Sequence, residues 1–315
     1  MAKSVEGKVI VITGAGRGIG REIALLAAAE GGKVVVNDLG GTAEGEGADV
    51  KVADQVVGEI RKAGGVAVAN GDSVADPQGA ERIIKAAIDN FGRVDCVVNN
   101  AGILRDRIFQ TAIDSFGRVD ILVNNAGILR DRTFANMTED EWDAVVRVHL
   151  KGAYCVTWPV WNWMKDHSVK GVIVMTSSGS GLFGNFGQAN YGAAKAGLYG
   201  FMRVLSIEGR KYGIRVWALA PGAYTRMTAD LPGRRDREPD PMSLPERIAP
   251  GVLYMVSDLS GDQTGKVLSV SSRGVAEVKV MQAPGFHPAA AWTAQDFADH
   301  AADIFFPDAP ARAPA

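Results

Sequence analysis

The chain has 315 residues, of which 47% are hydrophobic and 22% charged, and its net charge is −2. That is a globular composition, and the near-neutral balance excludes the polybasic field that recognises nucleic acid or a membrane surface. Cys96 and Cys155 cannot build a disulfide framework, four scattered histidines offer no metal site, and no stretch is long and apolar enough to span a bilayer. A cytoplasmic protein without a metal is the expectation.

In chain order, Lys8–Thr13 is an apolar run that predicts a buried strand. Gly14-Ala-Gly-Arg-Gly-Ile-Gly20 follows and leads into the apolar helix Ile23–Ala29. Glycines between a strand and a helix let the backbone approach a pyrophosphate, and the helix start offers N–H groups and a positive dipole end. Gly14, Arg17, Gly18, Ile19 and Gly20 are therefore candidate cofactor contacts, although their spacing departs from Gly-x-Gly-x-x-Gly. A second strand, Lys33–Asn37, ends at Asp38. A carboxylate there accepts from ribose hydroxyls and repels a 2′-phosphate, which favours NAD over NADP.

The acidic, glycine-rich loop 40–49 is expected to be mobile. A helix over 50–63, a third strand over Val66–Asn70, and a helix from Pro77 to about Phe91 follow. Asp72 and Ser73, at the end of the third strand, fall where an adenine ring would rest. The segment Ile88–Arg107 then recurs almost unchanged, 25 residues on, as Ile113–Arg132. Two copies make no solenoid. They indicate a local tandem duplication around the fourth strand, each copy ending its strand in Asn-Asn-Ala-Gly. A doubly wound sheet needs that strand once, so the spare copy either loops out or adds a βα unit. We assign the second copy to the sheet, with Asn125, Ala126 and Gly127 on the cofactor side. Asn100 is the alternative to Asn125.

Thr138-Glu-Asp-Glu141 fits a capping box opening a long helix that carries His149. Gly171–Thr176 is a further buried strand, and Ser178 stands at its carboxyl end, where ligands bind in an open parallel sheet. Tyr191 and Lys195 lie four apart, on one helical face. A free phenol, with a pKa of about 10, is too weak an acid to serve as a base at neutral pH, and a nearby ammonium favours the phenolate. Tyr191 can then take a proton from an alcohol, or give one to a carbonyl being reduced, while Ser178 holds the oxygen. The helix should run to about Tyr212. The strand Ile214–Ala220 ends at Pro221-Gly222, with Thr225 beside the nicotinamide. Residues 228–248 are a lid or a surface loop. A helix over 249–259 and a strand over Lys266–Val270 close the sheet. The dinucleotide-binding domain thus spans 1–270. The Ala- and Pro-rich extension 271–315 is expected to hold one helix, Thr293–Phe305, that packs on the domain or on a subunit partner.

Taken together, the glycine loop, both Asn-Asn-Ala-Gly turns, Ser178, Tyr191-x-x-x-Lys195 and Pro221-Gly222 resemble the short-chain dehydrogenase/reductase family over about residues 5–270. Val36-Asn-Asp-Leu-Gly40, Arg147-Val-His-Leu150, Gly184–Tyr191 and Ile207-Glu-Gly-Arg210 resemble its (3R)-hydroxyacyl-CoA dehydrogenase branch. That branch comprises units of peroxisomal multifunctional enzymes and stand-alone bacterial relatives. The resemblance implies an α/β fold, a doubly wound, Rossmann-like parallel sheet, and NAD-dependent interconversion of a 3-hydroxyacyl-CoA and its ketone in a homodimer or homotetramer. It casts Tyr191 as the acid/base, Lys195 as its electrostatic and ribose partner, and Ser178 as donor to the substrate oxygen. His149 stands where the wider family usually has an asparagine, and is either a member of the proton relay or a packed residue. Trp217 replaces another frequent asparagine, so its bulk must be housed in or beside the sheet. The alternatives are a reductase for a steroid or carrier-bound β-ketoacyl group, or a dinucleotide-binding protein inactivated by the duplication.

Overall fold

The computed structural model describes residues 3–41, 49, 51–101, 119–225, 240–288 and 291–307. Strands β1 (Val9–Thr13), β2 (Lys33–Asn37) and β3 (Val66–Asn70) alternate with helices α1 (Gly18–Ala29), α2 (Lys51–Lys62) and α3 (Pro77–Phe91). β4 (Cys96–Asn99) and β5 (Ile121–Asn124) come next, then α4 (Glu139–Val146), α5 (Gly152–Asp166), β6 (Val172–Thr176), α6 (Gly179–Phe183) and α7 (Ala189–Gly209). β7 (Arg215–Gly222), α8 (Ala249–Val256), β8 (Val267–Ser271) and β9 (Gly274–Val278) complete the sheet, in the order β3-β2-β1-β4-β5-β6-β7-β8-β9. All pairs from β3 to β8 are parallel. Every residue of β1, β4, β5 and β6 is buried, because helices cover both faces, and their sequences are unbroken apolar runs for that reason.

Local chemistry fixes the element ends. The Asp76 carboxylate accepts from the N–H groups of Gln78 and Gly79, Pro77 takes the first helical position, and Gly92 ends α3 in the left-handed region at φ 78°. The Thr138 box forms in both directions, at 3.2 and 3.0 Å.

The structure departs from the sequence reading in four places. Both copies of the repeat enter the sheet: β4 comes from the first and β5 from the second, in register so that each residue pairs with its own counterpart 25 positions on (Cys96 with Ile121, Asn99 with Asn124). The long helix after Thr138 is broken by a π-helical turn at Arg147–Lys151, which carries His149. β9 lies beyond the expected domain end at 270, and the first compact unit runs to Glu277. In the second unit, Val278–Ala315, the single helix expected over 293–305 is instead two short ones, α9 (Ala294–Asp299) and α10 (Ala301–Ile304), interrupted at His300. Most of the 40–49 loop and of the 228–248 segment lies outside the described residues.

Candidate active site

The glycine loop has the backbone that its composition demands. Gly14 and Gly18 take φ of +62° and +58°. A Cβ on Gly14 would crowd the Asn100 amide at 2.9 Å, and one on Gly16 would overlap Val52 and approach Asp38 Oδ2 at 2.8 Å. Arg17 is the N-cap of α1, and its own side chain makes no capping bond to the first N–H groups of the helix. Asp38 accepts from the N–H groups of Gly16 and Gly40, both at 2.7 Å. A carboxylate offers about four acceptor sites, so this still leaves acceptors for ribose hydroxyls. The loop therefore fits the adenosine and pyrophosphate of a dinucleotide. Asp72, expected near adenine, is engaged by Arg82 Nε at 2.6 Å and Asn70 Nδ2 at 2.8 Å, and Ser73 Oγ accepts from the Ala75 N–H.

Asn100 joins this half. Its Nδ2 donates to Gly14 O at 2.8 Å, and the N–H groups of Asn100 and Ala101 both reach Thr13 Oγ1. Asn125, assigned from sequence to the cofactor side, sits one strand further on and donates to Asn100 Oδ1 at 2.6 Å. The N–H groups of Asn125 and Ala126 both go to Asn99 O. The copy against the glycine loop is the first, because β4 and not β5 pairs with β1.

The second cluster gathers at the carboxyl end of β6. Ser178 caps α6, its Oγ accepting from the Ser180 N–H at 3.2 Å, and its hydroxyl favours ionisation of Tyr191. Lys195, 3% exposed, lies one turn along α7. Its Nζ is 5.6 Å from the centre of the Tyr191 ring and donates to Thr176 O at 2.6 Å. Burial brings its pKa down to about 7. Burial also holds the Tyr191 phenol above its ordinary range, opposed by the Ser178 hydroxyl and reinforced by Asp131. In the protein without cofactor, burial thus works against the phenolate, the form that Lys195 and an oxidised nicotinamide are expected to favour.

His149 packs edge-on against Tyr191, with ring centres 5.1 Å apart. Burial, then Lys195, bring its pKa to about 3, so it is neutral. Nε2 lies 3.0 Å from the Ile128 nitrogen and 2.8 Å from the Ile128 oxygen, while Nδ1 is buried without a partner. π-Bulges recur at functional sites, and this one sets His149 against the Tyr191 ring. Gly127 is required here, since a Cβ would overlap the imidazole.

Pro221 and Gly222 lie within β7, paired with Val270 and Ser271, and Thr225 follows three residues on. Two supporting groups, inside the Gly184–Tyr191 motif, had no role readable from sequence. Gln188 bridges Ser180 Oγ and Asp131 Oδ2, at 2.7 and 2.6 Å. Asn190 Nδ2 donates to the carbonyls of Arg130 and Glu141, and its Oδ1 accepts the Tyr191 N–H. Both follow from the loop before α7 crossing the turn after β5, which only the tertiary structure shows.

Comparison with known proteins shows the family. A family model described as "short chain dehydrogenase" matches in two segments, 8–110 and 104–235, which meet at the repeat. The chain is 47% identical over 260 residues to a putative short-chain type dehydrogenase/reductase of Mycobacterium tuberculosis, covering 82% of this chain and 80% of that one. It is 42% identical over 274 residues to the mouse peroxisomal multifunctional enzyme type 2, covering 87% of this chain but only 33% of that longer protein. The crystal structure of a short chain dehydrogenase from Mycobacterium avium superposes with a TM-score of 0.68 at 38% identity, over 96% of this chain and 95% of that one.

Proposed function

The chain belongs to the short-chain dehydrogenase/reductase family, whose chemistry is oxidoreduction at a CH–OH carbon, and from that premise we propose that it oxidises a (3R)-3-hydroxyacyl-CoA to the 3-ketoacyl-CoA with NAD. The observation that carries this reading is the gathering of Ser178, Tyr191, Lys195 and neutral His149 at one strand end, on a sheet whose other half carries a glycine cradle. The acyl-CoA assignment rests on the likeness to the mouse multifunctional enzyme and on the branch motifs, among them Arg147-Val-His-Leu150.

In this reading Gly14, Arg17, Gly18, Ile19 and Gly20 hold the pyrophosphate, and Asp38 the adenosine ribose. Asp72, Ser73, the Asn100–Ala101 turn in place of Asn125–Gly127, Pro221, Gly222 and Thr225 complete the candidate surround. When bound, NAD supplies the hydride acceptor and a positive charge. Ser178 donates to the substrate oxygen, and Tyr191 takes its hydroxyl proton. Lys195, with Nζ 5.6 Å from the centre of the Tyr191 ring, serves the phenolate. His149 Nδ1, an unpartnered acceptor when Nε2 donates to Ile128 O, can hold a water that passes the proton on. We place the protein in the cytoplasm as a homo-oligomer. Cys96 and Cys155 are both free thiols, and no helix among the described residues is long and apolar enough to cross a membrane.

NADH formation with a short (3R)-3-hydroxyacyl-CoA tests the substrate, measured against a secondary steroid alcohol. Asp38→Ala tests the cofactor. It should weaken NAD by about one hydrogen bond's worth, roughly three- to tenfold, and relax discrimination against NADP. Unchanged affinities for both cofactors would remove Asp38 from the site.

A further inference from the structure

Each copy of the repeat serves a different half of the site. The first copy's turn is bonded to the dinucleotide side, through Asn100 to Gly14 O and through the N–H groups of Asn100 and Ala101 to Thr13. The second copy's turn is bonded to the catalytic side. Gly127 packs on His149, Ile128 pairs with its Nε2, and Asp131 and the Arg132 N–H hold Gln188 and Gly187, just ahead of Tyr191. A single Asn-Asn-Ala-Gly turn could make both sets of contacts, because the copies are nearly identical and their strands sit in the same register. Here the two sets are split between neighbouring strands.

The consequence is distance. β1, which leads into the glycine loop, and β6, which leads to Ser178, are separated by both β4 and β5. Three strand steps span about 14 Å where two would span about 10 Å, at roughly 4.8 Å per step. The insertion falls between the group that anchors a dinucleotide and the groups that would act on its nicotinamide end.

We propose that the duplicated strand is a spacer that uncouples dinucleotide binding from the Tyr191 centre. The intact chain holds a nicotinamide dinucleotide by its adenosine and pyrophosphate at Gly14–Gly20 and Asp38, and the Asn125–Gly127 turn stands between that cradle and Lys195. The inference rests on the cofactor reading above. It makes the intact chain a binder of the dinucleotide to which Lys195 contributes nothing, and a slow dehydrogenase.

Removing Gly92–Phe116 joins Phe91 to Gly117 and merges the copies into one. Lys195→Met is placed in both lengths, and NADH and ADP-ribose are titrated calorimetrically into all four proteins. ADP-ribose should bind all four within roughly threefold, because it lacks the nicotinamide. Lys195→Met should weaken NADH at least about fivefold in the shortened chain, the worth of one hydrogen bond, and less than about twofold in the intact one. Turnover should be at least about a hundredfold faster in the shortened chain, given how steeply rate depends on placement. An equal effect of Lys195→Met on NADH in the two lengths overturns the proposal. Failure of ADP-ribose to bind either length defeats the cofactor reading, and the proposal with it. Binding without turnover in either length, with the Lys195 difference intact, upholds the spacer and removes the acyl-CoA substrate. Should the shortened chain not fold, the intact pair decides: a loss of about fivefold or more on Lys195→Met overturns the proposal, and a loss under about twofold supports it.

Discussion

Lys195 has lost most of its surrounding water, and its pKa of about 7 against an ordinary 10.5 makes it a reporter of folding as well as of chemistry. Between those two values the unfolded chain binds the proton and the folded chain does not, so stability rises with pH across that window. Below the folded value the cost of burying the charge is present in full. Lys195→Met should therefore flatten the rise of the thermal midpoint between about pH 7 and 10. Parallel curves for the two proteins in melting scans would show that the lysine is not buried as a neutral amine. Tyr191 titrates in the opposite sense for activity. Its phenol is held above the ordinary range, so alcohol oxidation should keep accelerating from neutral into alkaline pH as the phenolate fraction grows. Ser178→Ala removes the hydroxyl that opposes this shift and should carry the limb further alkaline. Tyr191→Phe should lower turnover at least about a hundredfold, the usual contribution of a positioned acid/base, with NADH affinity retained. Retained turnover in that variant would reassign the proton transfer.

Trp217 shows what an element demands of one residue. It lies on β7 with its side chain fully buried and edge-on to Tyr254, ring centres 6.2 Å apart, and its indole N–H has no partner. The sheet has housed the bulk but left the polar atom unsatisfied. Trp217→Ala should cost about 3–5 kcal/mol in urea denaturation, from lost contacts and a cavity. Trp217→Phe keeps most of the ring and deletes the orphan donor, so it should cost clearly less. An equal loss in the two variants would mean that the N–H finds a partner in solution. The strands were legible because residues buried on both faces are apolar without interruption, and the Thr138 and Pro77 helix starts because caps are local. Ser178, Tyr191 and Lys195 were legible because strand end and helical spacing place them together. The π-turn at Arg147–Lys151 was not, since one extra residue in a helix leaves no compositional mark. Nor was the choice between Asn100 and Asn125: their local sequences are nearly the same, and only the non-local pairing of β1 with β4 separates them.

At the scale of the whole molecule, two helices of the half that carries Tyr191 expose apolar side chains that a solvated face would not need. Tyr154 and Trp158 are one turn apart on α5, and Val204 and Ile207 are three apart on α7, with Trp158 59% and Ile207 64% exposed. Apolar clusters of this kind mark association surfaces, and a net charge of −2 offers little repulsion between copies. α5 packs on β5, and α7 on β6 and β7, so both surfaces belong to the part of the sheet that lies beyond the first copy of the repeat. Assembly should therefore be indifferent to the extra strand. Sedimentation at micromolar concentration should show a dimer or tetramer of the 33.3 kDa chain, for the intact protein and for one lacking Gly92–Phe116 alike. Trp158→Glu with Ile207→Glu should yield monomers with nearly unchanged secondary structure, since neither side chain contributes to the core. A monomer in the unsubstituted protein would mean that these faces are covered by something other than a second copy. An oligomer formed only by the shortened chain would mean that the inserted strand displaces α5 from the geometry that pairing requires, which would extend its effect from the site to the surface.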